Sequence, residues 1–107
     1  MESESFRLVP ARDGQFAARG PLTFATARLA REQGLQALSD AAAPALEIDC
    51  SGVTHSDSAG LAVLLDWLGA VRRAGRRLRY THLPGGLVAL GRISEVEELL
   101  GQGAEKT

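Results

Sequence analysis

The chain has 107 residues, 45% of them hydrophobic, and its 12 basic and 13 acidic side chains leave a formal net charge of -1. That length supports one core and excludes a catalytic domain joined to a regulatory one, while near neutrality excludes a general electrostatic pull toward nucleic acid or an anionic membrane. A single cysteine, Cys50, excludes an internal disulfide and, in its apolar strand-like setting, reads as a small core residue of a reducing compartment. The start, Met1-Glu2-Ser3-Glu4-Ser5, is acidic and lacks the regions of a signal peptide. Nowhere does an apolar run approach the ~20 residues of a membrane span, so a soluble, cytoplasmic protein without membrane insertion of its own is expected.

Residues 6–9 and 15–19 are predicted as two short strands around Asp13-Gly14, a dipeptide that supplies the positive φ angles of a tight antiparallel hairpin. After Gly20-Pro21, Thr23 or Thr26 can cap a helix running to about Ser39. Ala27, Ala30, Gly34, Leu38 and Ala41 form one stripe of it, so small-sided that the helix must pack closely. In 45–50, Leu46, Ile48 and Cys50 alternate with Glu47 and Asp49, the period of a strand with one better-buried face. Residues 51–56 read as a turn-rich loop.

The clearest periodicity is in 58–74, where Leu61, Leu64, Leu65, Leu68 and Arg72 follow the i, i+3, i+4, i+7 rhythm of a helix laid on a sheet. Gly75 stops it, and 76–82 resumes an alternating strand with Leu78, Tyr80 and His82 on one face. Strand, helix and strand in succession imply a parallel crossover. Pro84-Gly85-Gly86 turns into 87–90, and Ser94-Glu95-Val96-Glu97 has the spacing of a capping box before a last short helix to Leu100. Residues 101–107 read as a flexible tail. The order β-β-α-β-α-β-α describes a single small α/β layer structure.

The junction Asp57-Ser58-Ala59-Gly60-Leu61 carries the chemistry. A helix begins with four backbone N–H groups lacking intrahelical partners and with partial positive charge, a place that suits a phosphate. The hydroxyl of Ser58 can cap the helix; phosphorylated, it would set roughly two negative charges beside Asp57. Asp57 is either a dipole-stabilising carboxylate, worth about 0.3 to 1 kcal/mol, or a contact residue. Gly60 lets the first helical turn approach either another chain or the domain's own sheet. Val63, Trp67, Ala70 and Ala74 form a second stripe away from Leu61 and Leu65. It is covered by another part of the chain, or Trp67 anchors a partner, where large aromatics concentrate binding energy.

Other features read more plainly. Arg72, Arg73, Arg76, Arg77 and Arg79 form a basic cluster, expected mainly as a solvated helix end because cations complement the dipole there and no aromatic ladder accompanies them. His55 and His82 are too few and too separated for a metal site. Ser56-Asp57-Ser58-Ala59-Gly60 approaches the Gly-x-Ser-x-Gly nucleophile elbow but lacks its first glycine, and three neighbouring side chains on one turn diverge rather than form a triad. There is no Gly-x-x-x-x-Gly-Lys phosphate loop. Neither a catalytic residue nor a cofactor is expected, and the chain reads as a substrate or regulator of an ATPase rather than as one.

The order of elements, the strand at 45–50 and above all Asp57-Ser58-Ala59-Gly60-Leu61 with its aliphatic helix resemble the STAS domain of anti-sigma factor antagonists, over roughly residues 6–100. The resemblance implies an α/β STAS fold, a small mixed β-sheet of about four or five strands packed by three or four α-helices. In that family the hydroxyl residue directly after the Asp, here Ser58, is the one reversibly phosphorylated by a partner kinase in the antagonist branch. The segments Gly20-Pro21-Leu22-Thr23-Phe24-Ala25-Thr26, Glu32-Gln33-Gly34 and Ile93-Ser94-Glu95-Val96-Glu97-Glu98-Leu99-Leu100 are similar to the MlaB-like subgroup. Its members are cytoplasmic accessory subunits of the Mla phospholipid ABC transporter, which bind its ATPase subunit and support assembly and activity.

What this implies here is a non-enzymatic subunit, peripheral to the inner membrane through its partner ATPase, touching no lipid itself. Its contact face would comprise Thr54, His55, Ser56, Asp57, Ser58, Ala59 and Gly60, with Trp67 on the adjoining helix. The alternative is an anti-sigma factor antagonist using the same face to bind a serine kinase anti-sigma factor, released when phospho-Ser58 repels it. A small hydrolase using Ser58 stands third.

Overall fold

The computed structural model describes residues 5–88. Along them run β1 (Arg7–Arg12), β2 (Gln15–Leu22), α1 (Ala27–Asp40), β3 (Ala45–Ser56), α2 (Ser58–Arg73) and β4 (Arg77–Thr81), and a further helical turn begins at 85–88. The capping box at Ser94 and Glu97, the helix to Leu100 and the tail 101–107 lie outside the described residues.

The hairpin forms where Asp13-Gly14 demands it. Gly14 has φ +77°, and a side chain there would stand 2.9 Å from the carbonyl oxygen of Ala45, so only glycine both turns the chain and lets β3 approach. β1 pairs antiparallel with β2, while β2 with β3 and β3 with β4 are parallel, giving one mixed sheet in the order β1-β2-β3-β4. This is the mixed α/β arrangement that the STAS resemblance implies.

Alternation then decides what is covered. Leu8, Phe16, Ala18, Leu46, Ile48, Cys50, Leu78 and Tyr80 are buried beneath the helices, whereas Arg7, Gln15, Arg77 and Arg79 are exposed. Tyr80, wholly buried, donates its phenolic O–H to the carbonyl of Leu64, fastening α2 to β4. Ala30, Gly34 and Leu38, the expected small stripe of α1, face α2.

Four expectations are corrected. Residues 51–56 are strand, not loop: β3 continues to Ser56 because β2 also continues to Leu22, pairing Arg19 with Gly52, Gly20 with Val53 and Leu22 with Ser56. Register breaks on both sides of Gly20, which has φ +92°, absorb Pro21 without ending the pairing. His82 does not share the face of Leu78 and Tyr80. The strand ends at Thr81, His82 turns out with φ +54°, and its Nδ1 lies 3.2 Å from Asp49 Oδ1.

Thr26 is the residue before α1, but its hydroxyl does not cap the helix; it donates to the carbonyl of Pro21 at 2.8 Å and accepts the N–H of Thr23 at 3.0 Å, tying off the preceding turn. Arg76 departs from the solvated basic cluster. Its guanidinium donates to the carbonyls of Leu38, at 2.8 Å, Ala41 and Ala43, closing the C-terminal end of α1 with a planar fork of donors.

Candidate docking site at the start of helix α2

The start of α2 is built by Asp57. Its backbone is extended, and its Oδ1 accepts the N–H groups of Ala59 at 2.9 Å and Gly60 at 3.1 Å, two of the donors a helix leaves unpaired. Its Oδ2 reaches across to the β2–α1 loop and accepts the N–H of Phe24 at 3.0 Å. That bond from Phe24, reinforced by those from Gly60 and Ala59, holds the carboxyl below the usual carboxylate range. One carboxylate thus fastens a helix end and a neighbouring loop.

Asp57 is the cap, and the capping role considered for Ser58 is corrected accordingly. Both residue types are strong caps, but a carboxylate has a second oxygen for the loop and a hydroxyl does not. Ser58 becomes the first residue of the helix and is exposed. Thr54 and His55 are also exposed, while Ser56 and Ala59 are half-buried.

Two residues assigned to a partner are taken by the domain itself. Gly60 is buried against the end of β2, where an added Cβ would stand 2.1 Å from the carbonyl oxygen of Leu22, so its missing side chain serves the packing of α2 on the sheet. Trp67 is fully buried. The stripe it shares with Val63 is roofed by α1, its Nε1 donates to the carbonyl of Arg31 at 3.2 Å, and its ring lies 6.0 Å from that of Phe6. The cause is Gly34: a Cβ there would fall 2.1 Å from the indole, so only glycine lets α1 close over it.

A residue not singled out by itself joins the rim instead. Phe24 is 84% exposed and Leu29 63% exposed, the two large hydrophobic residues of the described chain left in water. Phe24 belongs to the loop that Asp57 grips, so its backbone is tied to the residue that precedes Ser58. The available signal was negative: Phe24 falls in neither the stripe of α1 nor the alternation of β2, and a large apolar residue without a place in either pattern is a candidate for contact.

The remaining chemistry is quiet. Burial pushes the Cys50 thiol up to about 12, which makes it an inert core residue. Among the described residues no group of His, Cys, Asp or Glu could hold a metal ion. No described helix is long and apolar enough to cross a membrane.

A family model described as Mlab, STAS domain, matches residues 10–101. None of the curated proteins matches the sequence. Among solved structures, the anti-sigma factor antagonist SpoIIAA in its unphosphorylated form superposes with a TM-score of 0.65 at 14% identity, covering 95% of this chain and 88% of that one. A putative anti-sigma factor antagonist from Thermotoga maritima gives a TM-score of 0.73 at 13% identity, over 95% of this chain and 86% of its own. SLC26A9 gives 0.63 at 17% identity; 88% of this chain matches a region amounting to 18% of that one. At such identities the likeness to these structures is one of fold. Since the family match runs from the first hairpin through the Asp57-Ser58 junction and beyond β4, the chain belongs to the MlaB family of STAS domains.

Proposed function

We propose that the chain is a non-enzymatic STAS subunit that docks on the cytoplasmic ATPase of an Mla-type phospholipid ABC transporter and supports its assembly and activity, and so outer-membrane lipid asymmetry. The observation that carries this reading is the arrangement at the start of α2. Asp57 supplies the cap, which leaves the hydroxyl of Ser58 exposed at the positive end of the helix in a chain of the MlaB family. Thr54, His55, Ser56, Ser58 and Ala59 form the contact, Asp57 positions it, and Gly60 supports it from within. Attachment to the inner membrane is through the partner.

The same exposed hydroxyl favours one second reading, an anti-sigma factor antagonist whose Ser58 is phosphorylated by a serine kinase anti-sigma factor. A phosphate would add about -1.5 to -2 charge next to the carboxylate of Asp57 and repel a partner seated there.

The test is recovery of candidate partners by wild type, Ser58→Ala and Ser58→Asp. Docking on the ATPase predicts recovery in the order wild type, Ser58→Ala, Ser58→Asp, because a charge desolvated at a close contact costs more than a lost hydroxyl. Equal, undiminished recovery by all three removes this loop from the interface. Recovery of a serine kinase that transfers phosphate to Ser58, with no ATPase, establishes the second reading in place of the first.

A further inference from the structure

Phe24 poses a physical problem that the docking of Ser58 does not by itself answer. A phenylalanine 84% exposed leaves most of its apolar surface in water, and a flexible loop would fold it back onto the domain. This loop is not free to do so. Thr23 N–H donates to Thr26 Oγ1 at 3.0 Å, Thr26 N–H to the carbonyl of Thr23 at 3.0 Å, Thr26 Oγ1 to the carbonyl of Pro21 at 2.8 Å, and Phe24 N–H to Asp57 Oδ2 at 3.0 Å. Pro21 and Leu22 are buried immediately behind it. The ring is therefore held out in water by a braced turn, and binding would cost little further ordering of the backbone.

The surroundings say what kind of surface could receive it. Leu29, on the first turn of α1, adds a second exposed apolar side chain. Flanking charges come in opposite-sign pairs: Arg28 lies 3.9 Å from Glu32, and Arg31 lies 2.9 Å from Asp66. Asp57 spends both oxygens on backbone N–H groups. Phe24 thus offers apolar area where the neighbouring charges balance, complementary to an apolar pocket on a protein and unsuited to an anionic surface.

Resting on the docking reading above, we infer that Phe24 is the aromatic anchor of that interface, seated in an apolar pocket of the ATPase subunit, and that Asp57 is its positioning residue, holding the anchor beside Ser58 from the N-terminus of α2. The carboxylate therefore links the serine site to the anchor mechanically, since any rotation of Asp57 that abandons Phe24 N–H unties the turn that presents the ring from the start of α2.

The experiment measures affinity of the full chain for the ATPase subunit, together with hydrogen exchange of the Phe24 amide in the unbound chain. The variants are Phe24→Ser, Asp57→Asn and both combined. Asn caps helices as well as Asp, so Asp57→Asn keeps the cap and replaces the oxygen facing Phe24 N–H with a donor. The expected results are at least about tenfold weaker binding for Phe24→Ser with an unchanged melting temperature, as for an interface anchor, and faster exchange of the Phe24 amide in Asp57→Asn. The double variant should bind no more weakly than Phe24→Ser, since Asp57 acts through the ring. Wild-type affinity for Phe24→Ser, unaltered amide exchange in Asp57→Asn, or additive losses in the double variant each overturn the inference while leaving the docking reading standing. Wild type failing to bind the ATPase overturns the docking reading itself and this inference with it. Phe24-dependent binding to anionic phospholipid vesicles, with Phe24→Ser still gripping the ATPase, reassigns the ring to a lipid contact and overturns it as well.

Discussion

Trp67, midway along α2, and Phe24, tied to the N-cap of the same helix, are treated in opposite ways: the indole is fully buried and the phenyl ring is 84% exposed. Neither outcome follows from the residue type. Trp67 is buried where a glycine on another helix makes room for it, and Phe24 is exposed on a turn braced by its own hydrogen bonds and tied to another element by a carboxylate. The contrast separates two uses of an aromatic side chain, one completing a core and one spared from it.

The largest expected effect tests the sealed side. Trp67→Ala should destabilise the domain by about 3 to 5 kcal/mol, measured by urea denaturation, since it empties a closed space between α1, α2 and Phe6 that cannot collapse freely. A loss below about 1 kcal/mol would mean that the stripe on α2 is not sealed, and the comparison would fail.

An intermediate effect is expected at the clamp. Asp57→Ala should cost about 1 kcal/mol near neutral pH through loss of the cap. Because backbone donors hold the folded carboxyl below its usual range, the folded chain takes up that proton less readily than the unfolded chain. The contribution of Asp57 is therefore complete above the unfolded carboxylate range and is lost as the pH falls from there through the lower folded value. The gap between wild type and Asp57→Ala should narrow between roughly pH 5 and pH 2, and a gap that stays constant would show that the carboxylate's charge is not what holds the helix start.

The smallest effect belongs to the open side. Phe24→Ala should change stability by less than about 0.5 kcal/mol, as for a surface substitution, whatever it does to binding. A loss comparable to that of Trp67→Ala would place the ring in the core and erase the distinction.

The elements that were legible in the sequence are those whose signal is local. Asp13-Gly14 announced its hairpin, the aliphatic stripe from Leu61 to Leu68 announced α2, and Gly75 marked its stop with φ +75°. What escaped depends on partners distant in sequence. Residues 51–56 are rich in turn formers, yet become strand because residues 19–22 arrive alongside them. Whether the second stripe on α2 met a partner or a neighbour rested on Gly34, some thirty positions upstream, whose meaning as an opening for an indole is invisible in one dimension.

At the candidate site the location was legible and the assignment of duties was not. Asp57 and Ser58 are adjacent and both favoured as caps; which one took the role was decided by the N–H of Phe24, a requirement from another loop. Gly60 likewise admitted two readings, and the carbonyl of Leu22 settled it in favour of the sheet. Arg76 was hidden inside a run of arginines, indistinguishable by composition from neighbours that face water.

The guanidinium of Arg76 has a consequence for the order in which this molecule can be finished. The carbonyls it satisfies belong to Leu38, Ala41 and Ala43, and the residue that satisfies them is synthesised more than thirty positions later, after β3 and α2. While the chain emerges, the far end of the first helix must stay hydrated until the fourth strand is at hand. Closure of that end is thus a late event, and it fastens α1 to the segment that links α2 to β4.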